Sequence, residues 1–189
     1  MTPSFQDALE AALRGGARLI QLREKDLAPR EVFTLARQAQ HLVERYGAQL
    51  LINSRADIAR AVHAAGVHLP QDDIAPMAAR LSLDEYCLCG ASVHSMATAQ
   101  RAAQEGANYL VFGSVFPTNS HPGAAPAGIE KLGEIARATS LPVYAIGGID
   151  EARARVCRAA GAYGIAVMSA VWQAADVAAA VRGLNAAVG

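Results

Sequence analysis

One local pattern recurs four times along this sequence. An alanine-rich stretch of helical character ends on glycine and leads directly into a short apolar segment, at residues 15–20, 65–69, 106–110 and 161–165. Glycine adopts positive φ at little cost, so each occurrence is typical of a helix that ends and feeds a strand. Repeated units of this kind predict a parallel sheet with helices packed against it.

The apolar periodicity of the whole chain predicts seven strands, and a helix precedes the first of them. The predicted strands span residues 18–23, 49–53, 66–69, 86–93, 109–112, 142–146 and 163–168. The predicted helices span residues 5–14, 29–46, 56–64, 75–81, 96–105, 129–138, 151–160 and 170–187. Because a closed βα barrel has eight strands, we expect an α/β fold, a TIM-type βα barrel over residues 1–189 as one domain, with its first strand missing from this chain. An open doubly wound sheet is the alternative, but no strand is followed by the Gly-x-Gly-x-x-Gly turn of that fold.

Charge and composition exclude several classes of protein. The 189 residues carry no formal net charge and 52% of them are apolar, so bulk charge indicates neither a nucleic acid nor a membrane surface as partner. No apolar run is long enough for a membrane span, and the first residues lack the pattern of a signal peptide. Three cysteines, an odd and sparse number, favour a reducing compartment. We expect a cytoplasmic protein without nucleic-acid or membrane partners.

The longest loop follows the fifth predicted strand and is rich in glycine, proline, serine and threonine up to about Gly128. A loop of this length in a compact domain is usually functional or disordered. Ser114, Thr118, Ser120 and His121 supply hydroxyl and imidazole groups there. These groups suit an anionic ligand.

The first and last strands end in polar residues, at the edge where a βα barrel places its active site. Gln21, Arg23 and Lys25 are spaced by two and so share a face. Two cations and an amide suit a phosphate or diphosphate beside the edge of a heteroaromatic ring, and a solvated strand end is the alternative. Gly148 and Ser169 follow the last two strands, where barrels of this type commonly bind phosphate, although a glycine pair also forms simple tight turns.

The middle strands add further candidates. Asn53 and Ser92 are candidate polar contacts at strand ends, and His94 either binds a ligand or caps the helix after it. Asp73 stands next to a second aspartate. That pair either holds Mg²⁺ or caps the next helix.

Six ordered segments resemble the thiamine-phosphate synthase/TenI family, and the resemblance covers nearly the whole chain. They are residues 21–25, 66–73, 90–94, 112–123, 145–149 and 164–169. The resemblance implies a βα barrel whose members normally begin with a short strand ending in Thr-Asp, a segment that this chain lacks. Because an unpaired sheet edge is a liability, we expect the gap to be covered by a partner subunit of a homo-oligomer or by a rearranged N-terminus, or else to lower stability.

The family contains two activities. A synthase joins hydroxymethylpyrimidine diphosphate to thiazole phosphate, releases pyrophosphate and uses Mg²⁺. A TenI-type tautomerase moves a proton to aromatise carboxythiazole phosphate and needs no metal or other cofactor. Both bind the thiazole phosphate, and the resemblance implies that Gly148 and Ser169 form that phosphate site.

The synthase pattern departs from this chain at two positions and matches it elsewhere. Ser54 stands where the pattern has aspartate, and His121 stands where it has lysine. Both changes weaken the stabilisation of the negative charge that builds up on departing pyrophosphate. The matching positions are Gln21, Arg23 and Lys25 for pyrimidine and pyrophosphate, Asn53 and Ser92 for further polar contacts, and Asp73 for one Mg²⁺ ligand.

The tautomerase pattern is slightly favoured, because residues 92–95 and 166–169 look like TenI. The best-known TenI member has histidine where this chain has Ser114, and we expect His121 to carry the proton instead, since imidazole titrates near neutral pH. We therefore predict a TenI-type thiazole tautomerase that acts on a phosphorylated thiazole, with His121, Ser114 and His94 as catalytic residues. A thiamine-phosphate synthase, with pyrimidine diphosphate as second substrate and Mg²⁺ as cofactor, is the alternative. A non-catalytic barrel that senses thiazole or thiamine phosphate is a third.

Overall fold

The structure, a computed structural model, describes residues 4–118, 123 and 125–189. The strands are β1 (Leu19–Leu22), β2 (Gln49–Asn53), β3 (Gly66–Leu69), β4 (Leu88–Val93), β5 (Tyr109–Gly113), β6 (Val143–Ile146) and β7 (Gly164–Ala166). The helices are α1 (Phe5–Arg14), α2 (Pro29–Arg45), α3 (Ala56–Ala61), α4 (Pro76–Arg80), α5 (Met96–Gln104), α6 (Ile129–Ala138), α7 (Glu151–Ala159), α8 (Ser169–Trp172) and α9 (Val177–Val188). Within these described ranges no helix combines the length and the apolar character that a membrane crossing requires.

The strands form one parallel sheet, in which the order in space is the order along the chain. Each strand pairs with its neighbour in sequence, from β1 with β2 to β6 with β7. In the described part of the chain, β1 and β7 are the two edges of the sheet. This curled half-barrel confirms the expected α/β barrel fold, with one strand fewer than the eight that close a TIM barrel.

The helical layer continues across the side where the sheet is open. Helix α9 packs against α1 on one side and against α7 on the other. Ala12 of α1 lies in an apolar cluster with Val181 and Leu184 of α9. The Asn185 side-chain amide donates a hydrogen bond to the Gly16 carbonyl at 3.1 Å. The first and last helices thus tie the two ends of the sheet together.

The last predicted helix, residues 170–187, is two helices instead of one. Helix α8 ends at Trp172, and α9 begins after Asp176, whose carboxylate accepts a hydrogen bond from the Ala179 N–H at 2.9 Å. An aspartate at an N-cap stabilises a helix start because it satisfies an N–H that has no partner within the helix. The chain therefore turns after α8 and starts a new helix against α1 and α7.

Four predicted strands are shorter than expected, and of these β1 and β6 lose only one or two end residues. The strand predicted at 86–93 begins at Leu88, because a turn precedes it in which the Cys87 N–H donates to the Asp84 carbonyl at 3.0 Å. The strand predicted at 163–168 is reduced to the three residues of β7. These two strands are still paired in parallel with their neighbours in the sheet.

Alternate residues of each strand face the helices and the inside of the curled sheet. In β5, Leu110 and Phe112 belong to a core cluster packed beneath the helices. Tyr109 and Val111 belong to a small inner cluster, which also contains Leu51 of β2. Toward the carboxyl ends of the strands polar side chains follow, as at Asn53, which the Gln21 side chain contacts.

Candidate functional site

The carboxyl ends of β1 and β2 bring three polar side chains into one hydrogen-bonded chain. The Gln21 Nε2 group donates to Asn53 Oδ1 at 2.9 Å, and the Asn53 Nδ2 group donates to Ser54 Oγ at 2.8 Å. Donation runs in one direction, so the Gln21 carbonyl oxygen and the Ser54 O–H stand at the two ends of the chain. An acceptor and a donor fixed in this way can recognise the edge of a heteroaromatic ring.

The two cations predicted at the end of β1 are exposed just beyond the strand. Arg23 stands two residues after Gln21 and so shares its face of the strand, and its positive charge is the smaller cause, after burial, of the lowered pKa of His68 in β3. Lys25 follows two residues later and is also exposed. Cations at this edge can hold the oxygens of a phosphate or diphosphate.

His68 is a site residue that reasoning from the sequence missed. Its Nδ1 lies 3.1 Å from the Tyr109 hydroxyl oxygen, and its Nε2 lies 2.8 Å from Ser92 Oγ. Burial, with the charge of Arg23 as a smaller cause, lowers the pKa of His68 to about 4, so the ring is neutral near pH 7. The available signal was its place in a buried strand, because a polar residue among apolar ones must find a hydrogen-bond partner inside.

Ser92 also lines a cavity of about 270 Å³, which Gln71 and Asp73 line as well. Asp73 Oδ1 accepts a hydrogen bond from the Ile74 N–H at 2.8 Å, and the N-cap of α4 is Ala75, so Asp73 does not cap that helix. The Gln71 Oε1 atom is buried without a hydrogen-bond partner.

Asp73 and Gln71 supply oxygen atoms of the kind that Mg²⁺ binds, and Arg101 lines the same cavity. This ion prefers oxygen ligands, and it commonly takes one or two carboxylates and completes its shell with substrate phosphates and water. Asp73 supplies a carboxylate, and Gln71 supplies an unpaired amide oxygen. Among the described residues, no three His, Cys, Asp or Glu side chains come together as a metal site, so phosphate oxygens would have to complete the coordination.

His94 and Ser114 lie at the ends of the paired strands β4 and β5. The Nδ1 atom of His94 contacts the Gly113 carbonyl, and Ser95, not His94, caps α5. Because a carbonyl only accepts, Nδ1 carries a proton, and Nε2 is the nitrogen that is free to accept one. Ser114 packs on the turn after β6, since a Cβ added to Gly147 would lie 2.6 Å from Ser114 Cβ.

The residues predicted to bind the thiazole phosphate begin the segments after β6 and β7. The loop after β5 reaches Gly148 so closely that an added Cβ would overlap the Pro117 carbonyl. Arg153 of α7, a second residue that reasoning from the sequence missed, donates from Nη1 to the Gly148 carbonyl at 2.6 Å and lies over the Phe116 ring at 5.0 Å. Ser169 is exposed at the start of α8.

The tip of the long loop is described only in part. Thr118 is half-buried at the end of the stretch that precedes the tip. Ser120 and His121 lie outside the described residues. The predicted substrate contact at Ser120 and the predicted proton transfer by His121 stay predictions.

The predicted residues fall into two groups along the carboxyl edge of the sheet. The first group spans β1 to β4. It contains the Gln21–Asn53 pair and Ser92, and His68 contacts Ser92. The second group spans β4 to β6 and contains His94, Ser114 and Gly148. Lys25 and Ser169 are exposed at the two ends of the same edge. Ser92 and Asp73 are the predicted residues that line the cavity.

Comparison with known proteins identifies the family. A family model for thiamine monophosphate synthase matches residues 2–171. The thiamine-phosphate synthase of Roseiflexus sp. is 45% identical over 186 residues, which cover 98% of this chain and 79% of that protein. That of Chloroflexus aurantiacus is 44% identical over 186 residues, which cover 98% of this chain and 86% of that protein. The fold superimposes on thiamine phosphate pyrophosphorylase from Pyrococcus furiosus with a TM-score of 0.91 and 37% identity, over 99% of this chain and 90% of that one. The chain therefore belongs to the thiamine monophosphate synthase family.

Proposed function

We propose that this chain is a thiamine-phosphate synthase, a transferase that joins hydroxymethylpyrimidine diphosphate to thiazole phosphate and releases pyrophosphate. The observation that carries the proposal is the identity of 44–45%, over 98% of the chain, with proteins named thiamine-phosphate synthase. This likeness supports the synthase, which was the alternative, better than the tautomerase expected from the sequence. The hydrogen-bonded side chains at the ends of β1 and β2 suit the edge of a heteroaromatic ring, and the nearby cations suit a phosphate or diphosphate.

The pyrimidine would be recognised by the Gln21–Asn53–Ser54 chain. An aminopyrimidine edge offers an amino donor beside a ring-nitrogen acceptor, and an amide with a fixed direction can pair with both. The Gln21 carbonyl oxygen is the acceptor at one end of this hydrogen-bonded chain, since the Gln21 Nε2 group already donates a hydrogen bond to Asn53 Oδ1 at 2.9 Å. The cations Arg23 and Lys25 stand beyond it on the same strand end.

Those cations would act on the leaving group. When the bond to pyrophosphate breaks, negative charge builds up on the departing oxygens, and a cation placed there stabilises the transition state more than the ground state. When bound, Mg²⁺ held by Asp73 would neutralise part of the same charge. Ser54 brings no charge and is bound to the Asn53 side chain at 2.8 Å, so this chain relies on Arg23 and Lys25 more than a protein with aspartate at position 54.

The test is a product assay with both phosphorylated substrates and Mg²⁺. We expect thiamine phosphate to form, EDTA to abolish its formation, and added Mg²⁺ to restore it. Arg23→Gln should lower kcat/KM by about 100-fold, the order of magnitude for removal of one charge-stabilising group, whereas Arg30→Gln, on the exposed start of α2, should not. Absence of thiamine phosphate in every condition would contradict the proposal, and retained binding of thiazole phosphate without turnover would indicate a sensor.

Tautomerisation is the second candidate, because His94 has the geometry of a base. Its Nδ1 atom is directed at the Gly113 carbonyl, which leaves Nε2 as the nitrogen that can accept a proton. We expect a base in this position to be able to remove a carbon-bound proton from a thiazole precursor. Aromatisation of carboxythiazole phosphate that is lost in His94→Gln, with no thiamine phosphate formed by the wild type, would establish this candidate instead.

A further inference from the structure

We propose that His68 is a positioning residue which, with Tyr109, directs the hydroxyl hydrogen of Ser92 toward the substrate. The inference rests on the proposed function, because Ser92 is taken as a substrate contact of that reaction. It assigns a role to a buried group that the proposed chemistry does not otherwise use. Three strands contribute to it: β3 supplies the imidazole, β4 supplies Ser92 and β5 supplies the phenol.

The imidazole is held between two hydroxyl groups and has little freedom to move. His68 is 4% exposed. In the described part of the chain it is the one residue that is both buried and polar or charged, tyrosines and cysteines being counted as apolar. Its ring stacks on the Tyr109 ring with the centroids 5.7 Å apart and the planes at 30°. Its two nitrogens lie 3.1 Å from the Tyr109 oxygen and 2.8 Å from Ser92 Oγ. Both nitrogens are therefore engaged, and neither is directed at a ligand.

The space for this arrangement is built into the sheet. Gly90 of β4 lies beneath the phenol, and an added Cβ would overlap the Tyr109 ring and hydroxyl. Tyr144 packs edge-on against the other side of the same ring, with centroids 5.7 Å apart. A glycine at position 90 thus lets Tyr109 cross β4 and reach the imidazole on β3. The reach spans 41 positions of sequence.

A neutral imidazole couples the two hydroxyls. It has one donor nitrogen and one acceptor nitrogen, so one hydroxyl must donate to the ring and the other must accept from it. If Tyr109 donates to Nδ1, then Nε2–H donates to Ser92 Oγ, and the Ser92 O–H is free to donate to a substrate oxygen or ring nitrogen. In the opposite tautomer, the Ser92 hydroxyl donates its hydrogen to His68 Nε2, so it can only accept a hydrogen bond from a substrate.

The first arrangement is the one that serves this site. Diphosphate oxygens and pyrimidine ring nitrogens accept hydrogen bonds, so a substrate contact at Ser92 requires its O–H. Burial keeps the ring neutral, since it lowers the pKa of His68 to about 4, and it raises the pKa of Tyr109, which keeps the phenol protonated as a donor. We therefore assign the Nε2–H tautomer to His68.

Two measurements test the proposal, and the first needs no substrate. In protein labelled with ¹⁵N-histidine at pH 7, the signals that disappear in His68→Asn should belong to a neutral ring protonated at Nε2. Signals of an Nδ1–H tautomer or of a charged ring would overturn the assignment. This outcome is independent of whether the protein makes thiamine phosphate.

The second measurement is a double-mutant cycle on turnover. Tyr109→Phe keeps the ring packing and removes the donor, so kcat should fall about tenfold with Ser92 present, as for a lost contact worth 1.4 kcal/mol, but less than about twofold in a Ser92→Ala background. KM should change less than kcat. Tyr163→Phe, which removes an exposed hydroxyl from the same row of aromatic rings, should leave both unchanged.

The cycle separates positioning from packing. If Tyr109→Phe lowered kcat by the same factor with and without Ser92, the hydroxyl would act through the fold, and the proposal would be wrong. If the wild type forms no thiamine phosphate, the proposed function fails. The four proteins of the cycle, which are the wild type, the two single variants and the double variant, are then titrated with each phosphorylated substrate by calorimetry. Coupling between positions 109 and 92 in Kd would then support the positioning role, and additive losses would overturn it.

Discussion

The side-chain amide of Gln21 donates a hydrogen bond to Asn53 from one strand to the next, although these two residues are not opposite each other. Gln21 pairs in register with Leu51, so Asn53 lies two residues nearer the carboxyl edge. The Gln21 side chain therefore leans toward that edge to reach Asn53 Oδ1 at 2.9 Å. The orientation of the Asn53 amide depends on this contact.

Gln21→Ala should reduce catalysis without reducing stability. Loss of the donor leaves the Asn53 side-chain oxygen unpaired and the amide free to turn. A lost hydrogen bond of this kind costs about 1–3 kcal/mol, which corresponds to a fall in kcat/KM of about 5- to 150-fold. The melting temperature should barely change, because Gln21 is exposed. Gln38→Ala, on the exposed face of α2, is the matched control, and kcat/KM equal in the two variants would show that the Gln21–Asn53 pair does not bind substrate.

His68 should make the folding stability depend on pH. Its pKa is about 4 in the folded protein and 6.5 in the unfolded chain, where it is not buried. Between these pH values the unfolded chain therefore binds a proton that the folded chain does not. The folded state therefore keeps its full stability above about pH 6.5, and its free energy of unfolding decreases as the pH falls toward 4. From pH 7 to pH 5, the free energy of unfolding should fall by about 2 kcal/mol more in the wild type than in His68→Asn.

Urea unfolding at the two pH values measures this difference. His63→Asn is the control, because it replaces an exposed histidine. The backbone φ at His63 is 55°, in the left-handed region, which asparagine tolerates. It should lose stability on acidification as the wild type does. An identical pH dependence in His68→Asn and His63→Asn would mean that His68 is not the group responsible.

The alternation of helices and strands could be predicted from the sequence because its signals are local. Each glycine that ends a helix and each apolar segment that follows it lie within a few residues of one another. The division of the last helix also had a local signal, since Asp176 precedes an apolar run as an N-cap residue does.

The contacts of the site could not be predicted in the same way, because they join residues that are distant in sequence. The contact of His68 with Tyr109 requires three strands in register and a glycine at position 90 that clears the space between them. The bond from Arg153 to Gly148 was missed for a different reason. An arginine on the first turn of a helix is usually solvated, and its value here comes from the Phe116 ring that the loop after β5 places beneath it.

Ser54→Asp should raise synthase activity and lower its requirement for Mg²⁺. The backbone at Ser54 has φ of 63°, a conformation that aspartate and asparagine tolerate better than most residues, so the variant should fold. The new carboxylate would supply an acidic oxygen donor at the end of β2, of the kind that Mg²⁺ prefers. The Mg²⁺ concentration that gives half the maximal rate should fall about tenfold, which corresponds to one added interaction of 1.4 kcal/mol.

Ser54→Asn separates charge from shape in that experiment. It has the same backbone tolerance and nearly the same volume as the aspartate variant, but it carries no charge. We expect it to leave the Mg²⁺ requirement where the wild type has it. Equal Mg²⁺ dependence in the aspartate and asparagine variants would mean that position 54 does not face the metal.

Arg153→Gln should raise the KM for thiazole phosphate. The guanidinium holds the Gly148 carbonyl at 2.6 Å and covers the Phe116 ring, so it fixes the turn that we propose for phosphate binding. A hydrogen bond from a charged group contributes about 1.5–3 kcal/mol, which sets an upper range of about 10- to 100-fold on the rise in KM. Arg153→Lys should recover little, because an ammonium group cannot both stack on the ring and reach the carbonyl as a planar guanidinium does.

The matched control for that substitution is Arg155→Gln, on the exposed surface of the same helix. It removes the same charge from α7 and should leave KM unchanged, so any difference between the two variants reflects the contact with Gly148 and not the net charge near the site. Neither variant should lower the melting temperature much, since Arg153 is 44% exposed and exposed cations contribute little to stability. An equal KM in both variants would place the phosphate away from Gly148. If the turn at Gly148 binds the phosphate, loss of the hydrogen bond from Arg153 should weaken that binding.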